Sequence, residues 1–220
     1  MIPVLYENED ILVIDKPAGL PAQPGEGVGA CVVSVVERDL GFTPFLVHRL
    51  DKETAGCMVL ARSSASAARF SELLRDRELG KIYRAICSGR PNLASGTYRD
   101  SLSIAGRTQE ALTSFRVKSS FGLSTAWSKG FSFLEFELGT GRTHQIRRHC
   151  ALHAHPILGD DKYGDFALNR GLKKAFGLKG LLLWSFELAV PGLPRIYSST
   201  PQHFRKFMIH FEDAPPLEET

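Results

Sequence analysis

The sequence predicts an α+β fold built on a mostly antiparallel sheet. Short strand-like runs recur along the chain, the middle alternates apolar and polar residues over three successive segments, and a few stretches carry helical spacing instead. With 220 residues the chain can bury a full core, as one domain or one domain with two lobes. Hydrophobic content of 43% and charged content of 23% are those of an ordinary globular protein. No apolar run approaches the roughly 18 residues needed to cross a bilayer. Met1 to Asp10 has no basic segment and turns acidic at once, so no signal peptide is expected and the expected location is the cytoplasm.

Val4-Leu5-Tyr6 and Ile11-Leu12-Val13-Ile14 read as two short strands around Glu7-Asn8-Glu9-Asp10. Asp15 to Pro21 breaks regular structure, because Pro removes donors and Gly admits positive φ; Lys16 there is a candidate phosphate contact. Gly25 to Gly29 reads as a flexible loop, and Val32, Val35, Val36 and Leu40 predict a helix. Cys57 to Ala61 is a buried strand. Ser63-Ser64 caps a helix predicted from about Ala65 to Leu79, with Gly80 as its terminator. A strand follows, with Lys81, Tyr83, Ala85 and Cys87 on one face. The polar stretch Pro91 to Arg107 is the nearest thing to a linker.

Gln109 to Ser119, Leu123 to Lys129 and Phe131 to Leu138 then predict an antiparallel meander. A helix-competent segment begins at about Thr143, Leu181 to Leu188 forms a further strand, and Thr200-Pro201 starts a last helix reaching His210. The folded domain is thus expected over residues 1–211, with an acidic tail over 212–220 that frays.

Charge is unevenly distributed. Arg142 to His210 holds 11 Lys and Arg against 4 Asp and Glu, while residues 1–141 hold 16 of each. A basic third of the chain suits a polyanion. Four widely spaced cysteines without a CxxC pair read as buried reduced thiols. His149 and His153 have the i, i+4 spacing of metal ligands, but no second cluster supplies the rest, so no metal is expected. Neither a GxxxxGK[ST] loop nor a GxGxxG after a strand is present, so nothing calls for a nucleotide cofactor.

Val47 to Gly56 places Asp51 between Arg49 and Lys52 on a turn before the buried strand, where a scaffold presents a reactive group. Gly139 to His149 sets three Arg and two His at a helix start, which suits phosphate. One loop Asp, one strand Tyr and an Arg-rich helix start fit a cofactor-independent reaction on an anionic polymer. Spacing alone leaves the reaction open.

His48-Arg49-Leu50-Asp51-Lys52-Glu53-Thr54-Ala55-Gly56 closely resembles the HRLDxxTSG signature of the RluA family of pseudouridine synthases. Tyr6-Glu7-Asn8 with Lys16-Pro17-Ala18-Gly19-Leu20 resembles that family's opening segment, and Lys81-Ile82-Tyr83-Arg84-Ala85 its KxYxA strand. Gly141 to Arg147 matches GRTHQIR, and His155-Pro156-Ile157 with Gly159-Asp160 resembles the HPIxGD that follows. The chain departs at Ala55, where Ser is usual, at Ala154, where Gly is common, and at Trp184-Ser185, where His-Ala is frequent. Members with an S4 RNA-binding domain carry it before the opening segment; this chain begins at that segment, so the form without one is expected.

The resemblance implies a long, mostly antiparallel mixed sheet in two lobes, with flanking helices and a central RNA-binding cleft. It implies isomerisation of uridine to pseudouridine in large-subunit ribosomal RNA or tRNA, without a cofactor, by a chain expected to be monomeric. Asp51 would be the essential acid, acting at C1′ as nucleophile or at C2′ as base. Arg147 would pair with it, Tyr83 would stack on the target base, and Arg49 would fill the gap left by the flipped base. His48, Lys16, Arg142, His144, Arg148, Lys173 and Lys174 would complete the RNA contacts. Two rivals are a catalytically inactive RNA-binding relative and a glycosidic-bond hydrolase; the latter usually needs two carboxylates.

Overall fold

A computed structural model describes residues 1–25, 29–104, 106–122 and 129–216. Strands β1 (Val4–Glu7) and β2 (Ile11–Lys16) form a hairpin. Asn8 fixes its turn: Oδ1 accepts the N–H groups of Asp10 and Ile11, both at 2.9 Å. Helix α1 (Val32–Leu40) runs from Cys31 to Gly41, whose φ of 77° supplies the left-handed C-terminal residue. Strand β3 (Phe45–Leu46) leads to β4 (Ala55–Ala61), which is buried throughout. β4 lies antiparallel to β2 from Ala61 opposite Ile11 to Gly56 opposite Lys16.

Helix α2 (Ser64–Arg75) is capped as expected, with Ser63 Oγ accepting the Ser66 N–H at 3.1 Å. It stops short of the expected Leu79. Arg77 turns left-handed at φ 63°, and the Glu78 N–H bonds back to the Leu73 carbonyl at 2.9 Å, so the chain leaves the helix early. Gly80 instead opens β5 (Gly80–Ser88).

The expected linker is a strand. β6 (Ser95–Ile104) pairs along its length with β7 (Arg107–Phe121), and its inward side chains are Tyr98 and Leu102. Tyr98 stacks on Phe115 of β7 with centroids 4.6 Å apart. β8 (Phe131–Leu138) pairs antiparallel with both β7 and β5, so the antiparallel meander is β6, β7 and β8. Residues 123–128 of the segment expected to be a strand, residues 26–28 of the expected loop and residues 217–220 of the tail lie outside the described residues.

Beyond the meander come α3 (Gln145–Leu152), α4 (Phe166–Phe176), β9 (Leu183–Ala189), β10 (Ile196–Tyr197) and α5 (Gln202–Met208). The fold is α+β and mostly antiparallel, as expected, and β4 with β9 forms a parallel pair. No helix among the described residues is long and apolar enough to cross a membrane.

The chain divides into two compact units: Met1–Lys81 with Trp184–Pro201, and Ile82–Leu183 with the segment from Gln202. In the first, Ile11, Val13, Cys57, Val59, Phe70 and Leu188 form the core between the sheet and α2. In the second, the rings of Phe121, Phe131, Phe207 and Phe211 pack on one another at centroid distances of 5.2 to 5.6 Å. All four cysteines are buried and free, in line with the sequence expectation.

Candidate active site

Lys16 ends β2 and has no exposed surface. Its ammonium donates to the carbonyls of Pro17 at 3.0 Å, Leu20 at 2.8 Å and Lys52 at 3.0 Å, which uses all three N–H groups. The Gly19 N–H reaches the same Lys52 carbonyl at 2.9 Å, and the Thr54 N–H closes a turn on the Asp51 carbonyl at 3.1 Å. Burial draws the Lys16 pKa down to about 8, against the pull of Glu53 and Asp51 in the other direction. The expectation of a phosphate contact is therefore corrected. Lys16 is a buried strut under the Asp51 turn with no donor to offer a strand of RNA.

His48 has a backbone partner as well. β4 meets β3 at Leu60 and Ala61 and β9 at Ala55 and Gly56, which leaves the Val59 N–H between them. The His48 Nε2 accepts that N–H at 3.2 Å. Burial, and then the positive charge of Lys81, push the His48 pKa down to about 3. The imidazole is thus a neutral acceptor rather than a cation for phosphate. On the same loop Arg49 and Lys52 are exposed and Asp51 is half-buried.

Gly56 closes the motif with φ of 105°, and a Cβ there would lie 2.2 Å from the Ser185 carbonyl oxygen of β9. Only glycine allows this approach. One residue earlier, Ala55 is the register partner of Trp184. Two of the three departures from the family pattern therefore face each other, a small side chain beside a fully buried indole.

In the second unit, Gln145 anchors the loop that precedes α3. Its Oε1 accepts Thr140 Oγ1 at 2.6 Å and the Arg142 N–H at 3.0 Å, and its Nε2 donates to the Leu112 carbonyl at 2.8 Å and Thr113 Oγ1 at 2.9 Å. Two residues on, Arg147 is 4% exposed and meets Asp160 through two bonds, Nε to Oδ2 at 2.8 Å and Nη2 to Oδ1 at 2.7 Å. Nη2 also reaches Asp161 Oδ1 at 3.0 Å, and the guanidinium lies over the Tyr163 ring. Burial alone would raise the Asp160 pKa, but Arg147 and the N–H groups of Tyr163 and Lys162 outweigh it and hold the carboxylate below its usual range.

The helix start expected to gather cations is thus partly turned inward. Arg147 is committed to Asp160, and His149 is buried with Nδ1 2.8 Å from Thr113 Oγ1, its pKa lowered by burial. His144 opens the helix at φ 53° with Nδ1 3.1 Å from the Tyr163 hydroxyl. Arg142 is exposed, with Nε donating to the Glu110 carbonyl at 3.3 Å; Arg148 is half-buried, and Lys173 and Lys174 are exposed on α4. Tyr83 is buried in β5, opposite Phe136. Asp51 belongs to the first unit and Tyr83 and Arg147 to the second. Among the described residues, no group of His, Cys, Asp and Glu can hold a metal ion. Sequence reasoning missed the strut formed by Lys16, the anchoring role of Gln145 and the partnership of Arg147 with Asp160. The only signal for the last was the recurrence of GD after GRTHQIR.

Residues 10–152, which take in Asp51, Tyr83 and Arg147, match the family described as RNA pseudouridylate synthase. The chain belongs to this family. It is 39% identical over 178 residues to the ribosomal large subunit pseudouridine synthase D of Xylella fastidiosa, covering 74% of this chain and 52% of that one. It therefore spans about half the length of that relative. An uncharacterized RNA pseudouridine synthase of Synechocystis is 31% identical over 247 residues, covering 98% of this chain and 70% of its own length. Among solved structures, human RNA pseudouridylate synthase domain containing 4 superposes with a TM-score of 0.76 at 27% identity, over 96% of this chain and 94% of its own. Human RNA pseudouridylate synthase domain containing 1 shares the fold at 21% identity and a TM-score of 0.77, over 100% of this chain and 91% of its own.

Proposed function

We propose that this chain isomerises uridine to pseudouridine in large-subunit ribosomal RNA. The observation that carries the reading is the family match across residues 10–152, with the acid of its signature motif present as Asp51. The large-subunit target is inferred from relatives that carry that substrate in their names.

The reaction is redox-neutral. The N1–C1′ bond breaks, the base turns, C5 bonds to C1′, and the proton lost from C5 is balanced by one gained at N1. A base inside a helix cannot turn, so it must first be flipped out, at a cost of a few kcal/mol. Asp51 is assigned the essential acid, working ionised either as nucleophile at C1′ or as base at C2′. Tyr83 is assigned the aromatic face against the base, and Arg147 the counter-charge. Arg49 is assigned the space the base vacates, because a planar guanidinium can take its place in the stack.

The geometry that favours the Asp51 assignment lies in its loop. Lys16, Gly19 and Thr54 hold the backbone around it through five hydrogen bonds to the four carbonyls at positions 17, 20, 51 and 52, so the carboxylate sits on a fixed turn. The test is incubation with a large-subunit ribosomal RNA transcript followed by carbodiimide mapping of pseudouridine. Site-specific product from the unaltered chain and none from Asp51→Asn is expected. Product from Asp51→Asn would overturn the assignment, and release of uracil without pseudouridine would make the chain a hydrolase.

A further inference from the structure

The second unit holds a pocket of about 640 Å³ that none of the assigned residues of the reaction fills. One wall is α4. Phe166, Asn169, Arg170 and Lys173 stand at i, i+3, i+4 and i+7, which places all four on one helical stripe facing the pocket. The opposite wall is backbone. Asn169 ties it to the helix, accepting the Gly159 N–H at 3.0 Å and donating to the Asp160 carbonyl at 3.1 Å. Gly159 and Gly180 both have positive φ and touch, since a Cβ on Gly159 would lie 1.7 Å from the Gly180 oxygen. Only glycine at 159 permits that contact, so this side of the pocket is formed by backbone.

The lining is cationic with one aromatic face. Arg170, Lys173 and Lys179 are exposed, and among the described residues none of the three is held by an ion pair. Asp160 does not offset them, because its carboxylate is consumed by Arg147 and by the N–H groups of Lys162 and Tyr163. Phe166 is 52% exposed, so its ring face is open to a base that stacks on it. Asp161, at 79% side-chain exposure, stands at the rim as an acceptor.

We propose that this pocket binds one unpaired nucleotide of the substrate RNA away from the target uridine, Phe166 stacking its base and Arg170, Lys173 and Lys179 holding its phosphates. Its size and its aromatic wall exceed what a lone inorganic anion would use. Asp161 accepts from the ribose 2′-hydroxyl, which distinguishes RNA from DNA. The inference rests on the RNA-modifying reading and extends it to a contact that selects the RNA around the target.

The experiment has two arms. In the first, the full chain is titrated with adenosine 5′-monophosphate, 2′-deoxyadenosine 5′-monophosphate and inorganic phosphate, followed by backbone amide NMR. Shifts at residues 159–161 and 166–180 are expected, strongest with the ribonucleotide and weakened by Phe166→Ala. No shift there, or equal affinity for phosphate alone, would overturn the proposal. In the second, KM for the ribosomal transcript in Arg170→Ala/Lys173→Ala should rise about ten-fold with a far smaller fall in kcat, and the salt slope should drop by about two. An unchanged KM and slope in this variant also overturns the pocket while the activity of the unaltered chain stands. If the unaltered chain makes no pseudouridine, the functional reading falls and the nucleotide titration still decides the pocket.

Discussion

The carbonyl oxygen of Lys52, one residue past Asp51, accepts the buried ammonium of Lys16 at 3.0 Å. A lysine from the end of β2 therefore fixes the backbone of a loop 36 positions further along the chain. Lys16→Met should strip three carbonyls of a charged donor and destabilise the fold by about 3 kcal/mol, read from urea unfolding. Lys16 also links stability to pH. Its folded pKa of about 8 lies below the value of about 10.4 for a free lysine, so the folded chain binds fewer protons between those limits and gains stability as pH rises through them. The variant should flatten part of that rise. Lys81, likewise drawn down to about 8 by burial, adds a rise of the same sign.

Acid should act through His48. Its pKa is about 3 in the folded chain, against about 6.5 when unfolded, so the unfolded chain takes up the proton first as pH falls and stability declines over that window. His48→Gln keeps an acceptor for the Val59 N–H and cannot titrate. Its unfolding midpoint should fall less between pH 7 and pH 4 than that of the unaltered chain; an equal fall would place the acid sensitivity elsewhere.

Gly56→Ala should be among the most damaging single changes outside the site chemistry. The added carbon collides with backbone of β9 and the positive φ of 105° adds strain, neither of which a side-chain rotation relieves. A loss of about 4 kcal/mol or failure to accumulate folded protein is expected in thermal melts and expression trials.

Arg147 and Asp160 should behave as a coupled pair. Asp160→Asn leaves a buried guanidinium with Asp161 and a neutral amide, and should cost about 3 kcal/mol. A double-mutant cycle with Arg147→Leu should give a coupling well above the few tenths of a kcal/mol seen for independent sites. Arg147→Leu should also depress turnover more than RNA affinity, and matching losses in both would count against its catalytic assignment.

The register pair Ala55 and Trp184 makes a further test. Ala55→Ser alone buries a hydroxyl beside the indole and should destabilise by about 1 kcal/mol. Combining it with Trp184→His restores the residues usual in the family at both positions. The pair should cost less than the sum of its parts in urea unfolding; simple additivity would show that the two departures are unrelated.

The strands that alternate or run continuously apolar, such as β4 and β8, were legible from sequence because their burial follows side-chain period. β6 was not: Ser, Thr, Arg and Asp fill its outward positions and only Tyr98 and Leu102 point to the core, so its composition matches a linker. α2 ended early through a left-handed Arg77, a conformation arginine does not advertise. At the site, the motif loop and the Arg-bearing helix could be named. Lys16 was misread because its partners are backbone carbonyls, which carry no residue signature. The role of Asp160 could not be named, because 13 positions separate it from the arginine it neutralises.

The contact of Gly159 with Gly180 has an evolutionary consequence. Backbone presses on backbone at that corner, so almost any substitution at Gly159 would be purged whatever RNA the chain serves. Across the pocket, Phe166, Arg170 and Lys173 are surface residues of a helix whose packing rests on Leu172, and they can be exchanged without disturbing the core. Variation among descendants of this chain is thereby channelled onto one helical stripe, which lets RNA preference drift while the scaffold stays constant.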